Sequence, residues 1–338
     1  MNFSFPGFSG GNFDWWFLEI ALAEIIRLPD VEGIRMKIPR REFIGKSALG
    51  VGGLMLGAAL PSLAKSGAAN FDPYEIVPLG KTGLKVSRVC IGTGSNGFMR
   101  SSNQTRLGAK KFETLLRGAY DRGIRMFDLA DLYGSHPYLI PALKGIPRDD
   151  FVVVTKIWRG PSGLPEPERP DVDVVVTRFL KEIQTEYLDL VLLHCVTSGN
   201  WPDEQRRQMD ILSKFKQKGI IRALGVSCHS LSALEAAANE PWVESVHARI
   251  NPYGTWMDGH PTEVVPVLKK IHDAGKGVVG MKIIGAGEFS SSDERRNHSV
   301  KFVLRLGCVD VLNVGFENHD QMNDFAARVR NVPRPVVV

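Results

Sequence analysis

The chain has 338 residues, with 42 Lys plus Arg against 37 Asp plus Glu and a formal charge of +5. That balance, with no run of five like charges, excludes a dedicated nucleic-acid or polybasic membrane binder. A 43% hydrophobic content excludes global disorder, and four cysteines without a CxxC spacing argue against a metal centre or a disulfide framework.

The N-terminal 69 residues read as separate from the fold. Residues 36–64 place Arg40 and Arg41 ahead of Phe43, Ile44 and Lys46, followed by an uncharged, Gly-rich stretch and small residues. A basic region, a short apolar run and a small-residue cut point make a signal peptide. The run is too short and too weakly apolar for a spanning helix, which needs about 20 residues. Paired arginines followed by Phe and Lys resemble the twin-arginine export signal. Residues 36–69 are therefore assigned to that signal, cut before Lys65 or alternatively at Ala69. The mature protein is expected in the periplasm, with the twin-arginine machinery as its export partner. Residues 1–35 stand where nothing precedes a signal, so they read as an extension or a start-site artefact, with translation beginning at Met36.

Residues 70–338 form the folded domain. A small hairpin is expected at 75–86, centred on Lys81-Thr82-Gly83. Short apolar runs recur at 86–91, 125–127, 151–154, 188–193, 221–226, 245–250, 277–283 and 309–314. They are nearly continuous rather than alternating, as strands buried on both faces are. Amphipathic patterns at 109–121 and 171–185, and capping signatures at Ser232-x-x-Glu235 and Asn318-x-x-Gln321, supply helices between them. Gly123, Gly219, Gly275 and Gly307 each follow a helix and precede a strand, where a left-handed C-cap is needed. Eight alternating units imply a parallel sheet, and a length near the ~250 residues of a (β/α)8 TIM barrel favours closure.

Gly92-Thr93-Gly94-Ser95-Asn96-Gly97 matches a dinucleotide-binding fingerprint in letters only. It opens into the polar stretch 98–107 rather than a helix, and the acid about 20 residues on, Glu113, falls inside a helical pattern. The open-sheet reading is rejected on that context.

Chemistry concentrates at strand C-termini, where barrel active sites form. Asp128 ends the second strand and Tyr133 follows it, Lys156 ends the third, and His194 ends the fourth. A phenol is a poor acid at neutral pH; an ammonium held by a carboxylate is expected to lower its pKa, and an imidazole can orient a carbonyl oxygen. Residues 123–134 (GIRMFDLADLYG) resemble the aldo-keto reductase signature, and the similarity spans roughly 75–330, including PLGKTGLKVSR, TKIW, DLVLLHC, GIIRALGVS and GMKIIGAG. The resemblance implies a nicotinamide-dependent oxidoreductase acting on a small carbonyl or alcohol, with Tyr133 as proton donor, Lys156 and Asp128 as its tuning pair and His194 orienting the carbonyl.

By the same resemblance, Thr93 and Gly94 lie near the nicotinamide ribose, and Ser227 with Cys228 and His247 takes the carboxamide. Met281 lies against the nicotinamide ring, Lys282, Ile284 and Gly285 along the pyrophosphate, and Gly315, Glu317, Asn318, Gln321 and Asp324 toward the adenosine end. Cys228 and His247 replace an Asn and a Gln usual in the family, and Glu317 stands where no cation is available for a 2′-phosphate. NADP(H) and NAD(H) both remain open. Leu132 and Trp158, with the loop 159–170, would wall the substrate. A non-catalytic nucleotide-binding barrel, acting as a redox sensor or interaction partner, is the competing class. Export adds one requirement: a dinucleotide loaded in the cytoplasm and recycled in place by a second substrate or an electron-carrier partner.

Overall fold

A computed structural model describes residues 69–335. The extension at 1–35, and the export signal up to residue 68, lie outside the described residues. Among the described residues no helix is long and apolar enough to cross a membrane.

The expected hairpin is present as β1 (Ile76–Pro78) and β2 (Lys85–Ser87), antiparallel with Val77 opposite Val86. Eight parallel strands follow: β3 (Val89–Gly92), β4 (Met126–Asp128), β5 (Val152–Trp158), β6 (Leu188–Val196), β7 (Ile221–Cys228), β8 (Ser245–Arg249), β9 (Gly277–Met281) and β10 (Val311–Gly315). They pair in order, and β10 closes the barrel onto β3. The fold is a (β/α)8 barrel with a hairpin ahead of it. Continuous apolar runs are what closure requires, because each strand faces side chains inside the barrel and helices outside.

Several boundaries differ from the sequence pattern by one to four residues, three of them with a clear physical reason. Val86 belongs to the hairpin, because the chain changes partners at Arg88 and only then enters the barrel. β5 continues past the apolar run through Thr155, Lys156 and Trp158, whose polar atoms find partners in His136, Asp128 and the Ser162 carbonyl. Ser230, not Ser232, caps the helix Leu231–Asn239: its backbone is extended and its hydroxyl accepts from the Ala233 amide. Asn318 caps the last helix, His319–Arg330, as expected. The four glycines singled out ahead of strands all adopt positive φ, from 69 to 108°.

Leu79, Cys90, Met126, Val154, Leu192 and Val279 fill the barrel interior, and a larger apolar layer lies between strands and helices. The interior layer stops short of the C-terminal strand ends, where the buried polar groups Asp128, Lys156, His194 and Ser227 begin.

Candidate active site

After Asp128 the chain makes one 3-10 turn, Asp131–Tyr133, ended by Gly134 at φ 64°. A side chain at 134 would come within 2.1 Å of the Arg100 carbonyl oxygen, so the turn needs glycine. Lys156 on β5 is fully buried; its ammonium donates to Asp128 Oδ1 and, at 3.1 Å, to the Leu129 carbonyl. The second oxygen of Asp128 accepts from Asn313 Nδ2 at 2.5 Å. His194, near the end of β6, shares a hydrogen bond with the Tyr133 hydroxyl, 3.2 Å from Oη to Nε2. Trp158 packs edge-on against His194, and its indole N–H donates to the Ser162 carbonyl. Leu132 is buried beside them. The four expected catalytic residues therefore converge.

One electrostatic expectation is corrected. Lys156 lies 4.9 Å from the centre of the Tyr133 ring, yet the phenol is not made more acidic. Burial pushes Tyr133 well above its ordinary 10.0, and the Asp128 charge and Cys195 push it further. Burial is the larger cause, and Lys156 is held by Asp128, so its ammonium does little to offset the cost of a buried phenolate. Burial also holds His194 well below its ordinary 6.5, aided by the Lys156 charge, so the ring is neutral at physiological pH.

The glycine-rich loop has a use that its letters did not reveal. A Cβ on Gly94 would lie 2.3–2.5 Å from the Tyr133 ring, and one on Gly97 would lie 2.4 Å from it. The two glycines form the seat of that ring. Gly94→Ala is expected to displace the phenol and cut turnover about tenfold or more, since misplacement by an ångström can cost as much as a hundredfold. Steady-state kinetics beside a thermal melt checks this; unchanged turnover would show that the seat is not needed.

The remaining sequence-derived positions divide into two groups. Ser227 faces the mouth, where its hydroxyl accepts from the Cys195 amide at 3.1 Å. Met281 ends β9, Lys282 follows it at φ 58°, and Ile284 and Gly285 lie in the turn beyond. Among the described residues no carboxylate pairs with the Lys282 ammonium, and burial together with the Arg249 charge lowers its pKa. Thr93 is fully buried and donates to the Asp128 carbonyl at 2.8 Å, which fastens β3 to the catalytic turn. Gly315 leaves room for Ser95, whose Oγ a Cβ would approach to 2.2 Å.

Other positions are placed away from the cleft or committed elsewhere. Cys228 turns into the outer apolar layer, its Sγ 3.7 Å from the Ala233 carbonyl. His247 sits inside the barrel, Nε2 3.7 Å from Asp128 Oδ1, and among the described residues neither ring nitrogen has a hydrogen-bond partner. Glu317 accepts from Asn103 at 2.6 Å. Gln321 accepts from the Glu317 amide, Asn318 caps Gln321, and Asp324 pairs with Arg328 at 2.6 Å.

Sequence reasoning missed Asn313, the buried Arg249–Asp258 pair, and the arginines around Asp131. The available signal for Asn313 was one amide inside the apolar strand β10, since a buried amide needs a partner.

Comparison with known proteins agrees with this geometry. The model of the Aldo/keto reductase family matches residues 88–328, and the chain belongs to that family. It is an oxidoreductase of the NAD(P)-dependent kind that acts on carbonyl and alcohol groups. It is 27% identical over 246 residues to aldo-keto reductase YhdN of Bacillus subtilis, covering 68% of this chain and 70% of the relative. It is 27% identical over 220 residues to a probable aldo-keto reductase 1 of Glycine max, covering 63% of this chain and only 60% of that protein. A solved Pseudomonas aeruginosa structure bearing the aldo-keto reductase name superposes with a TM-score of 0.63 at 24% identity, over 78% of this chain and 98% of that one, and shares the fold.

Proposed function

We propose that this protein is an exported carbonyl reductase in which Tyr133 delivers the proton and His194 orients the carbonyl oxygen. The observation that carries the reading is the Tyr133–His194 hydrogen bond above a buried Lys156–Asp128 pair. A bound nicotinamide dinucleotide would supply the hydride. The unpaired Lys282 ammonium fits an anionic pyrophosphate, with Gly285 beside it, while Ser227 and Met281 would face the nicotinamide end. Glu317 carries a negative charge where NADP(H) would bring its 2′-phosphate, which favours NAD(H).

In the reductive direction the neutral imidazole and the protonated phenol both meet the carbonyl oxygen. As negative charge develops on that oxygen, the phenol proton moves to it. The phenolate left behind gains little from the paired Lys156–Asp128 couple and takes up a proton from solvent before the next turnover. Trp158 and Leu132 exclude water and favour an apolar or ring-shaped carbonyl. An intact tetrad, in the two bonded pairs Tyr133–His194 and Lys156–Asp128, supports an enzyme over a nucleotide sensor, which would have no need of a buried ammonium.

Export rests on Arg40, Arg41, Phe43 and Lys46 and the run behind them. The four cysteines are free, as suits folding in a reducing compartment before transport. The cofactor then travels bound and is recycled in place by a second substrate or an electron carrier. The test is to isolate the protein from the periplasm, measure dinucleotide per chain, and assay aldehydes, ketones and quinones with NADH and NADPH. Near-stoichiometric cofactor with carbonyl turnover is expected. An empty protein that turns over nothing would overturn the reading.

A further inference from the structure

We infer that Asp131 is a positioning residue for the catalytic tyrosine, and that Arg100 couples it to the wall of the carbonyl pocket. The inference rests on Tyr133 being the proton donor. Asp131 opens the same three-residue turn that Tyr133 closes, and it is 2% exposed. Its carboxylate accepts three hydrogen bonds from two arginines. Arg178 reaches both oxygens, Nη1 to Oδ1 at 3.0 Å and Nη2 to Oδ2 at 2.6 Å, and Arg100 Nε reaches Oδ1 at 3.0 Å. A forked guanidinium on a buried carboxylate fixes direction as well as position. An isolated 3-10 turn has poor hydrogen-bond geometry of its own, so an external anchor decides where the phenol points.

The two arginines lead to different parts of the site. Arg178 projects from the helix Val172–Ile183 and also binds Glu182 at 2.8 Å. Glu182 holds His136 at 2.7 Å, and His136 meets Thr155 at 2.8 Å, the residue before Lys156. The turn that carries the tyrosine is thereby tied to the strand that carries the lysine. Arg100 leads outward instead: its Nη1 binds Glu166 at 2.6 Å, and the neighbouring Met99 amide donates to the Gly163 carbonyl at 2.9 Å. Both acceptors lie in the loop that follows Trp158. Glu166 is half exposed, so the outer end of this bridge is weak, whereas the end at Asp131 is buried. Arg100 thus sets the pocket wall relative to the phenol without fastening it shut.

The test is a double-mutant cycle read as kcat and KM. Asp131→Asn is expected to lower kcat about tenfold or more with cofactor affinity unchanged, and to add little in a Tyr133→Phe background, because it acts through that hydroxyl. A general structural role would instead lower kcat equally in both backgrounds and overturn the inference. Arg100→Ala, at a partly exposed site where folding is safer, is expected to raise substrate KM several-fold, with Arg100→Lys recovering part of the loss. Unchanged KM and kcat in Arg100→Ala would overturn the coupling. If Tyr133→Phe itself retains full activity, the reading beneath the inference fails, and that outcome is distinct from either of the others.

Discussion

Tyr133→Phe is expected to reduce carbonyl turnover by about 10² or more while leaving dinucleotide affinity nearly intact. Phenylalanine keeps the ring in its seat between Gly94 and Gly97 and removes only the hydroxyl that His194 engages. The loss should therefore fall on kcat. Cofactor affinity by fluorescence titration beside steady-state kinetics separates the two. A variant with most of its turnover would mean that the proton comes from another group.

Lys156→Met should produce the largest stability effect. Lys156 is fully buried and Asp128 is 3% exposed, so removing the ammonium leaves a buried carboxylate with Asn313 as its remaining side-chain donor. Breaking one side of such a pair costs about 3–5 kcal/mol, because the surviving charge is left uncompensated. Urea denaturation at pH 7 measures it. Adding Asp128→Asn should restore much of the loss, since a neutral amide no longer needs a counter-charge. A single variant as stable as the parent would contradict the pairing.

The barrel was legible because eight buried parallel strands leave eight continuous apolar runs, and no half-exposed sheet would do so. The tetrad was legible for a related reason: a lysine, a histidine and an aspartate at the ends of such runs stand out against their neighbours. Other features depended on information that spacing does not carry. Strand alternation places Ser227 and Cys228 on opposite faces, and that rule alone separated them once the inward face was known. The pairing of Asp131 with Arg178 joins positions 47 residues apart through a helix face. The acidity of Tyr133 was misjudged because the ammonium and its carboxylate were weighed without the burial that dominates the phenol. Gly94 and Gly97 looked like a nucleotide fingerprint, whereas their first constraint is the ring lying on them.

The most direct test of the proposed chemistry is the pH dependence of kcat/KM for carbonyl reduction. This ratio reports the ionisations of the free enzyme. Reduction needs Tyr133 protonated and His194 neutral. A phenol raised above 10.0 keeps its proton until the pH passes that raised value, and an imidazole lowered from 6.5 stays neutral until the pH falls well below it. The expected profile is level from pH 6.5 to 10, with activity falling only outside that window. A basic limb centred near pH 8, absent in Tyr133→Phe, would show a phenol made more acidic by Lys156 and would contradict the protonated, buried donor described here.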